Sequence, residues 1–472
     1  DKLPADNYPE NALQIATMTV DAYAKIRPIV DDEGWWYLAQ EMTSDELCGP
    51  TRDADWDDGG KWRAMHQHDW TNDVESVNNM WGRLFEAVTT TNQISDRLAA
   101  LTQTDDIRVK IAEVETMRAF YYYLLMDNFG DVPYLTTTID VPEKPFKVTR
   151  EEIWNNLVAS LESNLPYLQN VNKKYLATRA MAFSILAKLY LNAEVYTGTP
   201  QWEKAGAYCD SIISTGLYSF DSDPSGPFVT NNETNPEIIF SIPYDEDNFQ
   251  GFRFHMRTLH YQSNTTFNMN VGPWNGFAVL EDHYNSYEDG DKRKENWFLE
   301  GQQYDFEGNE IVDAVAEQNL VFTPNIPALR MTSENTPAEI RMSGVRIVKY
   351  EVAMGAKENL SNDFVLFRYT DVLLMKAETE IRLNGAGSGD DYINDVRSRA
   401  GVSTWSGVDL DDLLAERGRE MFMEGHRRQD LIRFGEFGKA WWEKSGSDPS
   451  REIFPIPKWA IDANENLNTD PQ

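Results

Sequence analysis

The sequence predicts a mainly α-helical protein, a helical-repeat scaffold that carries an irregular, loop-rich insertion with short strands. Three observations predict it. Apolar residues recur at spacings of three and four in the first half, as in Ile107, Ile111, Val114, Met117, Tyr121 and Leu124, which is one face of a helix. Helix pairs then follow one another at intervals of about 30 to 50 residues, the range of helical repeats. From about Tyr218 to Asn362 this periodicity stops, and Asn, Asp, Gly, Pro and Ser become dense.

The elements follow in order. Asp105 and Asp106 are placed to cap the helix that begins at Ile107, and Gly130 and Pro133 to stop it. A second helix is expected from about Arg150 to Leu168, with Thr149 as its N-cap and Glu152 three positions later, the capping-box spacing. A third covers about Thr178 to Glu194. Ala180, Phe183, Leu186, Leu189 and Tyr190 leave it few polar faces, so it is buried on most sides. The small–large series Ala187, Tyr190, Ala193, Tyr196 suits packed repeats but follows a tetratricopeptide pattern only loosely. A fourth helix starts after Pro200 and runs to about Thr215. In the insertion, residues 238–242 and 346–350 read as strands. Helices resume at about Phe364 to Leu383, ended by Gly385, then at Asp390 to Arg399 and Leu410 to Glu424. Phe454-Pro455-Ile456-Pro457 is extended and locked by proline. The chain thus divides into residues 1–217, helical with an aromatic loop at 45–70, a loop-rich ligand-binding region at 218–362, and closing helices at 363–472.

Bulk composition limits the function. With 41% hydrophobic and 25% charged residues among 472, the chain is expected to fold rather than remain disordered. Lys and Arg number 43 against 77 Asp and Glu, a net charge of −34. A polyanion is repelled by such a surface, so neither nucleic acid nor an anionic membrane surface is an expected partner, whereas a neutral polysaccharide is compatible. The 14 Trp exceed what core packing usually needs, and indole faces stack on sugar rings. Cys48 and Cys209 fit no metal spacing and are read as buried thiols or one bridge. No apolar run of about 18 residues is present to cross a membrane as a helix.

Several motifs then agree in order along nearly the whole chain. They are Arg118 to Tyr123 with Phe129 to Tyr134, Arg368 to Glu378, and Asn394 to Gly401. Glu416 to Glu420 with Glu424 to Gly435, and Phe454 to Pro457 with Asn464 to Pro471, complete the set. The chain resembles the SusD/RagB family of outer-membrane nutrient-binding lipoproteins. The resemblance implies four tetratricopeptide-like helix pairs with an irregular second half packed on them. It implies a place on the outer face of the outer membrane, held by a lipid on an N-terminal cysteine. It also implies a lid over a SusC-type TonB-dependent barrel, to which starch or another glycan is delivered without catalysis and without a cofactor. No lipidation cysteine precedes Asp1, so the anchor is expected to have left with a processed end. The charged residues of these motifs are expected to hold helices in register, with Glu420 and Glu424 each meeting an Arg one turn away and Arg368, Glu378, Arg397 and Arg399 joining a buried network.

A sugar site needs flat aromatic faces together with groups that bond hydroxyls. Two segments offer both. The polar loop from Asp45 to Trp62 holds Trp56 and Trp62, with Arg52 and Asp55 as hydrogen-bonding neighbours. In the family, the loop after the matching Asp-Glu supplies a stacking Trp. Gly272-Pro273-Trp274-Asn275-Gly276 is the second, with Tyr261 nearby, so that Trp274 completes an arc with Trp56 and Asn275 bonds a hydroxyl. The bland alternative places Trp62 in packing with Trp70, and Trp441 and Trp442 in the core. No metal site is assigned. The acidic turn Glu288, Asp289, Asp291 lacks the Glu that closes a twelve-residue calcium loop, and His66 and His68 have no third ligand near them. Two other readings remain open: a glycoside hydrolase using an Asp/Glu pair, and a helical-repeat adaptor that binds proteins.

Overall fold

The computed structural model describes residues 12–31 and 35–469. Asp1, and Asp470 and Pro471 at the end of the last motif, lie outside the described residues. The architecture is mainly helical, with a loop-rich stretch between two helical parts, as the periodicity predicts.

Two 25-residue helices, Glu75–Ala99 and Asp105–Phe129, pack against each other. The link at 100–104 is too short to cross their length, so they run antiparallel. Glu75–Ala99 has no counterpart in the sequence reading, although Val77, Met80, Trp81, Leu84, Val88 and Leu98 form a buried stripe at helical spacing. Thr104, not Asp105 or Asp106, caps the second helix, accepting a hydrogen bond from the Ile107 N–H. The two aspartates occupy the first turn, where the helix dipole favours them. The predicted single apolar stripe holds only in the N-terminal half of that helix. From Thr116 to Met126 every side chain is buried, because Arg150–Asn164 and the strand pair described below cover the other faces.

Arg150–Asn164 ends short of Leu168 because Pro166 has no N–H to continue it. Arg179–Leu191 packs on Trp202–Ile213, which in turn packs on Tyr369–Asn384 and so joins the C-terminal part to the scaffold. Asp390–Ala400 and Leu410–Glu420 follow on Tyr369–Asn384. The expected helix from Leu410 to Glu424 stops at Glu420 and a second, Arg427–Arg433, follows; Met423 and Gly425 between them have φ of 58° and 79°, outside any right-handed helix.

Phe364–Arg368, read from sequence as helix, is a strand paired antiparallel with Ile238–Ile242. A continuous apolar run carries no period that separates helix from strand. Of the expected strand at 346–350, only Arg346–Ile347 pairs, with Phe298–Leu299. The remaining pairs are two residues long, and two of them position the candidate site. Leu47–Cys48 lies antiparallel to Ala278–Val279, and Thr51–Arg52 lies parallel to Arg330–Met331. One buried apolar cluster runs from Ile26 through Trp297 to Leu467, so helical and irregular parts share a core.

The motif charges form a buried network; Glu416–Arg419 and Asp430–Arg433 pair one turn apart, but Glu420 and Glu424 join through tertiary contacts instead. Arg368 bonds Glu424 at 2.7 Å, Glu420 at 3.0 Å and Glu237 at 3.3 Å. Arg293, from the irregular half, reaches Glu416 at 2.7 Å and Glu420 at 3.1 Å. Lys349 meets Glu424 at 2.6 Å, and Arg399 bonds both Glu237 and Glu420. Burial pushes the Glu424 carboxyl up, but Arg368 and Lys349 outweigh it and hold the group at about 2. The network thus ties the Leu410–Glu420 helix to the strand pair and to the insertion.

Candidate functional site

The two strand pairs bring the 45–62 loop against the 256–277 segment. Beyond Thr51–Arg52 the loop closes a tight turn, with Arg52 N–H bonding Asp55 O at 2.8 Å and Asp55 N–H bonding Arg52 O at 3.1 Å. Trp56 follows with φ of 61°, a left-handed conformation that a bulky side chain rarely adopts and that surrounding contacts must hold. Those contacts are specific. The Trp56 indole N–H donates to Trp274 O at 2.8 Å. Its ring centroid lies 4.9 Å from Phe277, and its six-membered ring is seated on Gly276, where a Cβ would stand 2.5 Å from Cζ2.

The Trp274 segment is stapled in turn to the short Phe254–Thr258 helix. Trp274 N–H bonds Met256 O at 2.7 Å, Asn275 N–H bonds Leu259 O at 2.8 Å, and Gly276 N–H bonds Arg257 O at 2.8 Å. The Arg257 guanidinium lies 5.6 Å from the Trp274 ring and 5.9 Å from the Trp56 ring, and Arg253 lies 5.5 Å from Trp274. Tyr261 donates its hydroxyl to the Asp55 carboxylate, and Arg341 covers its ring at 4.7 Å. Burial, together with the Asp55 charge, pushes the Tyr261 hydroxyl up to about 12, so it remains a proton donor.

Trp56, Trp274 and Tyr261 are each partly exposed, and Asp55 is exposed. These four predicted residues come from loops some 200 positions apart and form one surface. Three other predicted residues do not reach solvent. Trp62 is 1% exposed; its indole N–H bonds Asp58 at 2.7 Å and its ring packs edge-on against Phe277. It supports Trp56 from below, and Trp70 packs elsewhere, against His68 and Phe454. Arg52 is 2% exposed, and its three nitrogens bond the carbonyls of Gly276, Ile340 and Ser343 at 2.7 to 3.1 Å. Asn275 is fully buried, donating to Arg341 O and accepting from Arg346. With their polar groups already satisfied inside the protein, Arg52 and Asn275 build the platform rather than face a sugar.

Sequence reasoning missed Gly276, Phe277, Arg253, Arg257 and Arg341. The glycine was visible beside Trp274, but its role as the seat of a ring some 220 positions away was not. An open cleft of about 720 Å³ adjoins the platform through Arg253 and Val271, and Gln250, Asn270, Lys357 and Asn359 line its polar walls.

The acidic turn is absorbed in ion pairs, with Glu288 at 2.5 Å from Arg397 and Asp291 at 2.8 Å from Arg293. Burial holds His66 down at about 4, and its Nε2 lies 2.7 Å from Trp442 O. Among the described residues no group of three or more His, Cys, Asp or Glu is placed to hold a metal. Cys48 and Cys209 are separate buried thiols.

Residues 16–191 match the model of a family described as starch-binding and associating with the outer membrane. The starch-binding protein SusD of Bacteroides thetaiotaomicron is 24% identical over 439 residues, spanning 84% of this chain and 79% of its own. Two solved structures share the fold. A SusD superfamily protein from Parabacteroides distasonis superposes with a TM-score of 0.80 at 18% identity, covering 99% of each chain. Surface glycan-binding protein A of Bacteroides thetaiotaomicron, solved with laminarihexaose, superposes with a TM-score of 0.76 at 24% identity, covering 96% of this chain and 97% of its own. The SusD family model itself matches residues 236–472, half of the sequence and the half that holds Trp274, Tyr261 and the buried charge network, and the chain belongs to the SusD family.

Proposed function

We propose that this protein is a non-catalytic cell-surface binder of poly- or oligosaccharides and that Trp56, Trp274 and Tyr261 make the contact. The observation that carries the reading is Trp56, held in a left-handed backbone conformation, seated on Gly276 and bonded to Trp274 O, so that two indoles share one partly exposed surface. Strained backbone that presents an aromatic ring is characteristic of binding sites, where packing elsewhere offsets its cost. Two relatives lend support: one is named for starch binding, and another was solved with a glucan hexasaccharide. In this reading, residues 218–362 with the 45–70 loop are the ligand-binding region, and residues 1–217 and 363–472 are its scaffold.

Family membership extends the proposal to delivery. The bound glycan passes to a SusC-type TonB-dependent barrel in the outer membrane, with this protein lipid-anchored on the extracellular face. A glycan array identifies the sugar, and calorimetry with Trp56→Ala and Trp274→Ala then tests the site. At least one change weakens binding tenfold or more, about 1.4 kcal/mol. Parent-like binding by both variants removes the site assignment. Release of reducing ends from the bound glycan removes the non-catalytic reading. Co-purification with a SusC-type barrel from outer membranes tests delivery, and its failure leaves glycan binding standing alone.

A further inference from the structure

Buried cations in this protein are matched by carboxylates almost everywhere. Arg293, Arg368, Arg397 and Arg417 each pair with one or more Asp or Glu. Among the described residues, Arg52, Arg346 and Arg428 are buried arginines with no carboxylate partner, and two of these three lie directly beneath the aromatic platform. Arg52 bonds only carbonyls. Arg346 bonds Ser343 O at 2.9 Å, Gly344 O, Asn275 Oδ1 at 2.8 Å and Arg341 O at 3.0 Å, and its Nε has no partner. A guanidinium taken out of water is costly without a counter-charge, and here burial first, then the neighbouring Arg52 charge, pushes Arg346 well down.

Above this pair stands Arg341. Its Nε lies 2.9 Å from both Asp313 oxygens, while its terminal nitrogens hold no hydrogen bond among the described residues. The side chain is 19% exposed, its guanidinium carbon 4.7 Å from the Tyr261 ring centre at the edge of the platform. Two carboxylates bond directly at this edge, Asp313 to Arg341 and Asp55 to Tyr261. Asp55 already accepts from Tyr261, and Asp313 is shared between Arg341 and His260. Burial holds His260 down at about 4, so it adds no charge near neutrality. Arg52, Arg346 and Arg341 outnumber Asp55 and Asp313, the two carboxylates bonded to Tyr261 and Arg341, in a protein whose net charge is −34; of the other acids in the Trp56 loop, Asp57 is paired with Arg63. Charges beyond about 8 Å are screened at physiological salt, so the local sign decides what docks.

We propose that the platform takes an acidic glycan, with a carboxylate or sulfate group of the sugar received by the free Nη groups of Arg341 beside Tyr261. The inference rests on the glycan-binding reading above and adds the substrate class. Guanidinium nitrogens match carboxylate and sulfate oxygens in spacing, and the buried pair below supplies charge that no protein acid neutralises.

Affinity electrophoresis of the full chain tests it, in gels carrying laminarin or amylopectin as neutral polymers, polygalacturonate or alginate as uronates, and a sulfated galactan. Retention by at least one acidic polymer is expected, weakening as NaCl rises from about 0.05 to about 0.5 M. Arg341→Gln raises the Kd for that polymer at least tenfold, and Arg341→Lys, which keeps the charge without the fork, restores part of it. The uronate and sulfate gels distinguish the two anions. Retention in neutral gels alone overturns the acidic assignment and leaves glycan binding intact. Acidic retention that survives both Arg341→Gln and high salt also overturns it. If no gel retains the protein, both readings fall together.

Discussion

Gly276→Ala is the sharpest test of how the platform is built. An added Cβ would stand 2.5 Å from Trp56 Cζ2 and 2.7 Å from Cδ2, distances no carbon pair tolerates. The contact is with a rigid ring, so the indole must lift, and lifting it breaks the 2.8 Å bond from its N–H to Trp274 O. Overpacking of this kind costs about 1–3 kcal/mol. The unfolding entropy of a chain this long is about 1 kcal/mol per kelvin, so Tm moves by only about 1–3 °C. Binding is the better readout. If Trp56 contributes a stacking face, its displacement weakens glycan affinity at least tenfold, about 1.4 kcal/mol, much as Trp56→Ala does. Calorimetry against the glycan found on the array measures this, and tryptophan fluorescence reports the moved ring. Gly272→Ala is the control, because its Cβ meets only Tyr261 O at 3.3 Å in the same loop. A Gly276→Ala protein that binds within about twofold of the parent refutes the argument that the seat of Trp56 sets affinity.

Other outcomes follow from the buried charges. Arg368→Met strips three buried carboxylates, Glu237, Glu420 and Glu424, of a shared partner and is expected to cost about 3–5 kcal/mol in denaturant unfolding; a loss under about 1 kcal/mol contradicts the network's role. Stability also depends on pH in two windows. Burial works against ionised Glu416 and Glu424, but Arg293, Arg419 and Arg397 around Glu416, and Arg368 with Lys349 beside Glu424, hold them at about 2, below their ordinary 4.5. The folded state binds fewer of these protons, so their contribution is complete above about pH 4.5 and is lost as pH falls through about 2. Glu41 is the reverse: burial pushes it up to about 8, the folded state keeps the proton longer, and stability declines as pH rises from about 4.5 to 8. The urea midpoint should therefore peak near pH 5, and a midpoint unchanged from pH 5 to 8.5 would count against the Glu41 argument. Cys48 and Cys209 are buried, and burial raises both thiols, Cys48 to about 12. A thiol reagent at pH 8 should label neither in the native protein and both after unfolding; rapid native labelling would contradict their burial.

Much of the scaffold was legible along the chain, because a helix that buries one face repeats every three or four residues. Trp202–Ile213 and Asp390–Ala400 both follow such patterns. The pattern failed where burial was not one-sided. Phe364–Phe367 is apolar throughout, and only pairing with Ile238–Ile242 makes the segment a strand. Strands as short as Leu47–Cys48 and Thr51–Arg52 have no period at all, yet they carry the Trp56 loop to its place. The charged motifs show the same division. Glu420 and Glu424 looked like partners for arginines one turn away, and instead meet Arg293, Lys349, Arg368 and Arg399, three of them from other segments far off in the chain.

The order of residues along the chain supplies the parts: helical stripes for a scaffold, charges for a buried network, and surplus indoles in two polar segments. Which indoles face outward and which cations stay uncompensated is set by how distant segments meet in the fold. Exposure and charge balance belong to pairs of segments, not to one. Trp56 and Trp62 sit only six positions apart, one in a loop and one at the start of the helix Lys61–Gln67, and it is the arrival of residues 274–277, some 220 positions later, that covers one ring and presents the other.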